Sequence, residues 1–321
     1  MRKIIKTLLG IGGAFCLIGA LLFSIGFTSG GTKYVHDTNL NSMNAQEDNK
    51  ESANRFTLKK TEIPDFTSLN INLEDSDLNI EESPNEKSYI EYAQATKDKK
   101  NPVSYSIENG TLTLKEAGNT GASYYINVDI SFLQAALSSK NIEDYTKESS
   151  KYENYVTLYL PKDKLVSSAK IYLGYGDFYV KNAAFDTINI KLDDGDFDAN
   201  TLTANSGKLT FSYGDCDLQK ASLGNISLTS KDGDLTVNEL TLSGKTKIAL
   251  SYGDTEITLN DSTKKVSGFD LATHYGTITA SGLNGNKTLD EDDDVNTFQS
   301  DSKDGKTKLS IDSKDGDITV K

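Results

Sequence analysis

The sequence predicts an all-β fold: a β-solenoid of about 19-residue coils with an N-terminal β cap, preceded by one transmembrane helix. Three observations predict it. An uncharged apolar segment near the N-terminus has the length of a membrane span, apolar and polar residues alternate from residue 63 onward, and a glycine-centred tripeptide recurs at near-constant spacing. Alternation with a period of two is typical of strands, and a fixed repeat is typical of stacked architectures.

The N-terminal segment predicts a membrane anchor. Three basic residues lie among the first six, and an uncharged run then extends from Thr7 to Gly31. A helix needs about 20 apolar residues to cross a bilayer, and positive charge stays on the cytoplasmic side. We therefore expect a cytoplasmic tip at 1–6, a transmembrane helix at 7–30 and an extracytoplasmic location for the rest. A cleaved signal peptide is the alternative, although no A-x-A site follows the apolar run.

The net charge restricts the partners. It is −13 for the whole chain, and placing the three N-terminal basic residues inside leaves −16 outside. Nucleic-acid binding requires a basic face, so this class of partner is excluded. Cys216 is the only cysteine outside the apolar run, which leaves no intramolecular disulfide. It occupies an inward apolar position and is expected to be inert packing.

Three regions follow the anchor and its tip. Residues 31–54 are polar and without periodicity, which predicts a flexible stalk. Residues 55–168 have irregularly spaced strand patterns and predict a β cap. Within the cap, residues 131–152 begin with good helix formers and predict a short helix or insertion. Residues 169–321 contain the regular repeat and predict the solenoid.

The repeat is a Tyr-Gly-Asp or Asp-Gly-Asp tripeptide, once Tyr-Gly-Thr. Its glycines are separated by 19, 19, 19, 20, 23 and 40 residues, and they are Gly176, Gly195, Gly214, Gly233, Gly253, Gly276 and Gly316. Apolar residues recur five positions before and four after each glycine, so one face of every repeat is apolar. Stacking such repeats buries a continuous core. An antiparallel meander or sandwich is the alternative.

The same register occurs twice upstream, around Gly110 and around Ser76, which takes the glycine position. The 40-residue gap equals two periods and contains an acidic insertion, so eight coils are expected from 169 to 321. The chain ends on a repeat strand without an obvious cap. An open edge invites pairing, which predicts weak self-association.

The order of these segments resembles the bacterial putative-adhesin β-strand-repeat family, also described as LiaG-like. The resemblance covers roughly residues 60–321. It rests on FTSLNINLEDSDLNI, then VSYSIENGTLTLKE, then VTLYLPKDKL, followed directly by the Gly-Asp repeats. It implies a membrane-associated β-repeat domain of the envelope, often linked to envelope stress, and no catalytic residues. Tyr or Asp stands before Gly-Asp here, where the family has a small residue.

The Gly-Asp pairs are explained first as bends, since glycine permits positive φ and aspartate binds nearby backbone N–H groups. Stacked coils would also bring carboxylates within about 5 Å, where a cation could bind. Calcium is the one cofactor that the sequence suggests, because Ca²⁺ accepts six to eight oxygen ligands. The candidate ligands crowd one bend: Asp193, Asp194, Asp196 and Asp198. Glu291 to Asp294 form a second acidic run.

Three tyrosines precede glycines in alternate coils: Tyr175, Tyr213 and Tyr252. One interpretation is partial burial, with rings stacking from coil to coil. The other is an aromatic stripe that binds glycans or a partner protein. Catalysis has little support, because His36 and His274 lack a nucleophile motif and the aspartates recur in every coil rather than at one place.

The sequence therefore predicts a non-catalytic, membrane-anchored envelope protein with a binding, adhesin-like or envelope-stress role. The candidate partners are a membrane protein of an envelope-stress system, a cationic peptide and a surface glycan. The alternatives are a calcium-dependent surface structural protein and a glycan-active β-helix enzyme.

Overall fold

The computed structural model describes residues 54–96, 100–117, 154–290 and 294–321. The predicted tip, membrane helix and nearly all of the stalk lie outside these ranges, as does the predicted insertion at 131–152. Within the described ranges, no helix is both long enough and apolar enough to span a bilayer.

The described residues form strands almost throughout. The strands of the N-terminal part are β1 (Asn54–Ile63), β2 (Ser68–Leu73), β3 (Asp77–Glu82), β4 (Ser88–Thr96), β5 (Val103–Glu108), β6 (Thr111–Glu116) and β7 (Tyr155–Leu160). The repeat region begins with β8 (Leu165–Tyr175), β9 (Phe178–Val180), β10 (Ala183–Asp194), β11 (Phe197–Tyr213), β12 (Cys216–Asp232), β13 (Leu235–Leu242), β14 (Lys245–Tyr252) and β15 (Thr255–Leu259). It ends with α1 (Asp261–Val266), β16 (Gly268–Thr273), β17 (Ile278–Ala280), β18 (Asn286–Asp290), β19 (Val295–Ser300), β20 (Lys308–Asp315) and β21 (Ile318–Val320).

Each regular coil has three sides. Buried and outward residues alternate along each side, and the step between buried residues widens from two to three at two bends. In the coil of Gly214, the buried residues are Cys216 and Leu218, then Ala221 and Leu223, then Ile226, Leu228 and Ser230. Because a strand keeps one face inward only with a period of two, the wider steps mark corners. All three sides therefore direct apolar side chains into one core.

Neighbouring coils pair in parallel and in register. Strand β10 pairs with β8 and β11 at an offset of 19 residues, and β11 pairs with β12 at the same offset. The residues predicted to point inward five positions before the glycines are all buried: Ile171, Ile190, Leu209, Leu228, Ile248, Leu271 and Ile311. Antiparallel pairs occur only at the two ends of the described stack. The pairing thus agrees with stacked coils rather than with a meander.

The C-terminal coils do not stack in chain order. Strand β20 lies between β14 and β16, and β21 lies between β15 and β17. The coil of Gly316, last in the sequence, is therefore inserted between the coils of Gly253 and Gly276. The long gap before Gly316 forms the hairpin β18–β19, not an additional coil. The expected eight coils are corrected to seven glycine-cornered coils in the described part of the chain.

Strand β21 is paired on both sides, so the expectation of an open edge at this strand is wrong. Weak self-association of the chain stays a prediction without this edge to support it. The outer end of the stack is covered instead by the hairpin, whose β19 pairs with β16. Side chains complete the cover: Asn296 Nδ2 donates to the carbonyl of Gly276 and Lys287 Nζ to that of Ile278, each at 2.7 Å. Covering an edge prevents strand addition.

The N-terminal coils are interleaved as well. Strands β2 and β3 flank Ser76 and pair with β8 and β9 in the predicted register, which aligns Ile71 with Ile171 and Leu78 with Phe178. Strands β6 and β7 form the next coil outward, on β2 and β3. Antiparallel strands finish this end, with β5 on β6, β4 on β7 and β1 on β4.

Gly110 is not a repeat corner, contrary to the sequence-based prediction. Asn109 and Gly110 have φ of 50° and 73° and join β5 to β6, which pair antiparallel. Two successive positive φ values are typical of a type I′ hairpin turn, which favours Asn-Gly. The predicted boundary between cap and solenoid, at 168/169, falls inside β8. Residues 54–321 form one compact unit.

Glycine occupies the corners because successive corners touch backbone to backbone. Gly214 has a φ of 118°, and a Cβ atom there would lie 2.3 Å from the carbonyl oxygen of Gly195. Gly195, Gly233, Gly253 and Gly316 repeat this arrangement, with positive φ and contacts of 2.0–2.3 Å to the corner below. An L side chain is disfavoured at such φ and would also collide with main chain. The glycine column therefore fixes where each coil bends.

The aspartate after each corner binds the next coil. Asp196 Oδ1 accepts a hydrogen bond from the backbone N–H of Asp215 at 2.8 Å. The other bonds of this set, which we call the aspartate ladder, run from the N–H of Asp177 to Asp77 (2.9 Å), Asp196 to Asp177 (2.9 Å), Asp234 to Asp215 (2.8 Å), Asp254 to Asp234 (2.7 Å), Asp317 to Asp254 (2.8 Å) and Thr277 to Asp317 (2.7 Å). Such charge-assisted bonds offset the repulsion of about 1 kcal/mol between carboxylates about 5 Å apart in water.

One carboxyl group is buried at the N-terminal end. Glu116 Oε2 accepts from the backbone N–H groups of Glu74 at 2.9 Å and Asp75 at 3.1 Å, and Gln94 Nε2 donates to its other oxygen. Ser76 Oγ donates to Gln94 at 2.6 Å. Burial raises the pKa of Glu116 above its ordinary value, although the two backbone hydrogen bonds act in the opposite direction.

Replacing Asp215 tests the aspartate ladder. Asp215→Ala removes the acceptor for the N–H of Asp234, and we expect a loss of about 1 kcal/mol in the free energy of unfolding. Asp215→Asn keeps an acceptor and removes one charge from the column, so its stability should stay within about 0.5 kcal/mol of the native chain. Urea unfolding of both variants measures this. Equal losses for Ala and Asn would show that the hydrogen bond is not what the side chain contributes.

Glu116→Gln should remove a pH dependence of stability. A carboxyl with a raised folded pKa binds its proton more tightly in the folded state, so its contribution is complete below pH 4.5 and is lost as pH rises through the folded pKa. Glutamine is uncharged throughout, and a flip of the Gln94 amide restores every hydrogen bond. Thermal unfolding between pH 4 and 8 should therefore vary less in this variant. Glu116→Ala, which orphans two N–H groups, should lose about 2–4 kcal/mol.

Candidate functional site

Tyrosine and aspartate alternate strictly at the position before the corner glycines. Asp194 pairs with Tyr175, Asp232 pairs with both Tyr213 and Tyr252, and Asp315 pairs with Tyr252. Two backbone hydrogen bonds place the remaining neighbours. The carbonyl of Tyr213 accepts from the N–H of Gly195 at 3.2 Å, and the carbonyl of Lys314 accepts from the N–H of Tyr275 at 3.1 Å. In spatial order this tyrosine–aspartate column is Tyr175, Asp194, Tyr213, Asp232, Tyr252, Asp315 and Tyr275.

The tyrosine rings project into solvent. Tyr175 and Tyr213 are each 57% exposed, Tyr252 is 60% exposed and Tyr275 is 69% exposed. Because an aspartate coil lies between successive tyrosine coils, the rings are anchored about 10 Å apart, which is two strand spacings. This separation exceeds the roughly 4.5–7 Å between the centres of stacked rings, so direct stacking from coil to coil is disfavoured. The position between two successive tyrosines is occupied by an aspartate.

The corner is strongly acidic. Seven ladder carboxylates and three column carboxylates line it, and the lysines directly beside the column are Lys231 and Lys314. The pKa of Asp198, which lies beside this corner, is raised above its ordinary value. Burial is the largest cause, and repulsion by the carboxylates of Asp217, Asp196 and others adds to it. A local excess of negative charge attracts cationic ligands and accelerates their association.

Lysines lie away from this corner on an outward side of the coil. Lys170, Lys208 and Lys247 occupy the coils of Tyr175, Tyr213 and Tyr252, with Asn189 and Ser227 between them. Each lysine precedes the tyrosine of its coil by five residues, a separation of about 16 Å along an extended strand. The repeat region thus separates a basic column from its acidic corner.

The four predicted metal ligands do not form a cluster. Asp193 is bound to Lys191 Nζ at 2.6 and 2.8 Å and accepts from the Tyr172 hydroxyl at 3.0 Å. Partial burial opposes its ionisation, but these hydrogen bonds outweigh burial and lower the pKa of Asp193.

The other three predicted ligands are engaged or apart. Asp196 binds the next coil through the aspartate ladder, and Asp194 and Asp198 are exposed. No group of three or more His, Cys, Asp and Glu residues in the described ranges is suited to a metal ion. Most of the acidic run at 291–294 lies outside those ranges. Calcium binding stays a prediction.

The described cysteine and histidine lie in different environments. Cys216 is buried at an inward position, as the sequence predicted, and burial raises the pKa of its thiol. His274 is about half exposed, and its Nε2 lies 3.8 Å from Asp312. His36 lies outside the described residues.

Three of the seven column residues are not among the predicted site residues: Tyr275, Asp232 and Asp315. The sequence does show that each of them directly precedes a repeat glycine. It does not show the strict alternation of tyrosine and aspartate, because Asp315 lies between Tyr252 and Tyr275 only through the exchanged order of the last two coils.

Solved structures similar to this chain include a putative cell adhesion protein from Clostridium sporogenes (13% identity, TM-score 0.33, covering 84% of this chain and 99% of that one) and putative adhesins from Bacteroides fragilis (11%, 0.39, 84% and 98%) and Parabacteroides distasonis (11%, 0.41, 84% and 98%). No curated protein matches the chain.

The family is shown by the sequence match itself. The model of the family described as Toastrack DUF4097 matches residues 66–321, which include all seven glycine corners and the coils on their N-terminal side. Because this match spans most of its length, the chain belongs to the Toastrack DUF4097 family.

Proposed function

We propose that this chain is a non-catalytic binding protein of the bacterial cell envelope and that the tyrosine–aspartate column is its binding surface for cationic ligands. Residues 7–30 would hold it in the membrane, with the strands on the extracytoplasmic side. The observation that carries the proposal is the column itself: four exposed aromatic rings alternate with three carboxylates along one corner.

Exposed tyrosines favour binding over structure at this position. A ring that is more than half exposed contributes little to the core, whereas tyrosine is enriched where proteins bind partners. A cation over an exposed aromatic ring gains about 0.5–1 kcal/mol. Each ring also lies next to at least one aspartate of the column, so a ligand with several cationic groups can contact rings and carboxylates together.

The charge of the corner selects the sign of the ligand. The aspartate ladder runs beside the column, and each ladder carboxylate uses Oδ1 for the backbone of the next coil. In Asp177, Asp196, Asp215 and Asp234, the second oxygen is not needed for that bond and remains available to a ligand. The attraction between these exposed carboxylates and a cationic ligand is screened by salt, with a Debye length of about 8 Å at physiological ionic strength.

A non-catalytic role fits the repetition. The same aspartate environment recurs from coil to coil, whereas a catalytic pair of carboxylates needs one place where their roles differ. Cys216 is buried, and His274 is about half exposed, with its Nε2 3.8 Å from Asp312.

Substituting the rings tests the surface. A labelled dodecalysine peptide should bind the protein at low salt, and its affinity should fall as the salt concentration rises. A dodecaglutamate peptide should not bind. Joint replacement of Tyr175, Tyr213, Tyr252 and Tyr275 by Ser should weaken dodecalysine binding at least tenfold, since tenfold corresponds to about 1.4 kcal/mol. Asp194, Asp232 and Asp315 replaced by Asn should weaken it and reduce the salt dependence. Fluorescence anisotropy measures all three.

The matched control replaces the lysines of the basic column, which lie in the coils of Tyr175, Tyr213 and Tyr252 but away from the acidic corner. Lys170, Lys208 and Lys247 replaced by Ser should leave dodecalysine binding unchanged or slightly tighter. Retained affinity in the tyrosine variant would reject the column as the site. Binding of neutral or acidic glycans that depends on the same tyrosines would assign the column to a surface glycan instead.

A further inference from the structure

The spacing of the tyrosine–aspartate column restricts the conformation of its ligand. Coils are about 4.8 Å apart, so tyrosine recurs about every 9.6 Å and the column from Tyr175 to Tyr275 extends over about 29 Å. A ligand that contacts all four rings equivalently must repeat at the same distance. This requirement separates the regular peptide conformations from one another.

Two conformations fit poorly. A β-strand presents one face every two residues, about 6.7 Å, which does not match the rings. An α-helix returns to the same face after seven residues, about 10.5 Å, and drifts by about 2.7 Å over the three intervals of the column. Strand addition is also disfavoured at this corner, because the backbone groups of Gly195, Gly253 and Tyr275 already bond to adjacent coils.

A polyproline II helix fits closely. It has three residues per turn and a rise of 3.1 Å per residue, so it repeats every 9.3 Å and drifts by only about 1 Å over three intervals. Its backbone needs no hydrogen-bond partner, which suits a corner whose own backbone is already paired. Proline-rich segments in this conformation dock on aromatic side chains.

The aspartates define the remaining positions of the repeat. Asp194, Asp232 and Asp315 lie midway between rings, about 4.8 Å from each neighbour along the stack. When one residue of each turn packs on a tyrosine, a long basic side chain one residue further reaches the next aspartate. Arginine is the stronger candidate, because its planar group pairs with carboxylates and stacks on aromatic rings.

We propose that the ligand of the tyrosine–aspartate column is a proline-rich peptide with one basic residue in every three, bound as a polyproline II helix parallel to the solenoid axis. This inference rests on the proposed function and specifies its ligand. Ten residues cover the four rings, since nine steps of 3.1 Å span about 28 Å.

Peptides of defined period test the inference. Labelled (Arg-Pro-Pro)4 should bind the full chain at least tenfold more tightly than (Arg-Gly-Gly)4, which has the same charge and period but a flexible backbone. It should also bind more tightly than Arg4Pro8, which has the same composition but no period. (Arg-Pro)6 has more charge and a shorter period, and should bind no more tightly than (Arg-Pro-Pro)4. Anisotropy titrations at one ionic strength compare the four.

The tyrosine variant is the second arm. With Tyr175, Tyr213, Tyr252 and Tyr275 replaced by Ser, the preference for (Arg-Pro-Pro)4 over (Arg-Gly-Gly)4 should disappear, and an unchanged thermal unfolding curve confirms that the variant folds. Equal binding of these two peptides to the native protein would overturn the polyproline inference while leaving cationic binding intact. Tighter binding of (Arg-Pro)6 would do the same, because charge alone would then govern affinity. Failure of every cationic peptide to bind would reject the proposed function itself.

Discussion

The direct contact between backbones at the Gly-Asp corner is the constraint on which the fold depends. Six of the seven corner glycines rest on the carbonyl oxygen of the glycine in an adjacent coil, and Gly176 rests on that of Ser76, so no side chain fits between successive corners. The contact sets the distance between coils, and the aspartate that follows fastens the next coil through its carboxylate. The regular spacing of everything on the outer surface, including the exposed tyrosines, is inherited from this contact.

The same constraint explains how an acidic chain tolerates a column of carboxylates. Parallel stacking places equivalent residues above one another, so each charged side chain faces copies of itself. Backbone N–H groups of the next coil offset this repulsion, because each donates a hydrogen bond to the carboxylate below. What remains is a corner with a fixed array of charges, built by the requirements of stacking and then available for recognition.

Local pattern made much of this structure predictable. The inward positions are set by a period of two within each side and by glycine at the corner, and residues such as Leu209 and Ile248 are buried as expected. The order of the coils was not predictable. The coil of Gly316 presents the same edges to Gly253 and Gly276 as any other coil, so the repeat pattern does not encode its neighbours. The prediction of a repeat corner at Gly110 failed because Asn-Gly between stretches of alternating apolar and polar residues is equally compatible with a hairpin, which is what forms there. The tyrosine–aspartate alternation depended on this same order and was only partly visible in the sequence.

The exchanged order of the last two coils also affects how the molecule can be made. Growth of a simple repeat array can follow synthesis, with each new coil laid on the previous one. Here β20 and β21 supply an internal layer, and the layer beyond it is made of residues synthesised earlier. Strands β16 and β17 must therefore wait for β20 and β21 before they find their place. A product that stops before β20 would lack an inner layer rather than an outer one, so synthesis of β20 and β21 and closure of this part of the stack are a single event.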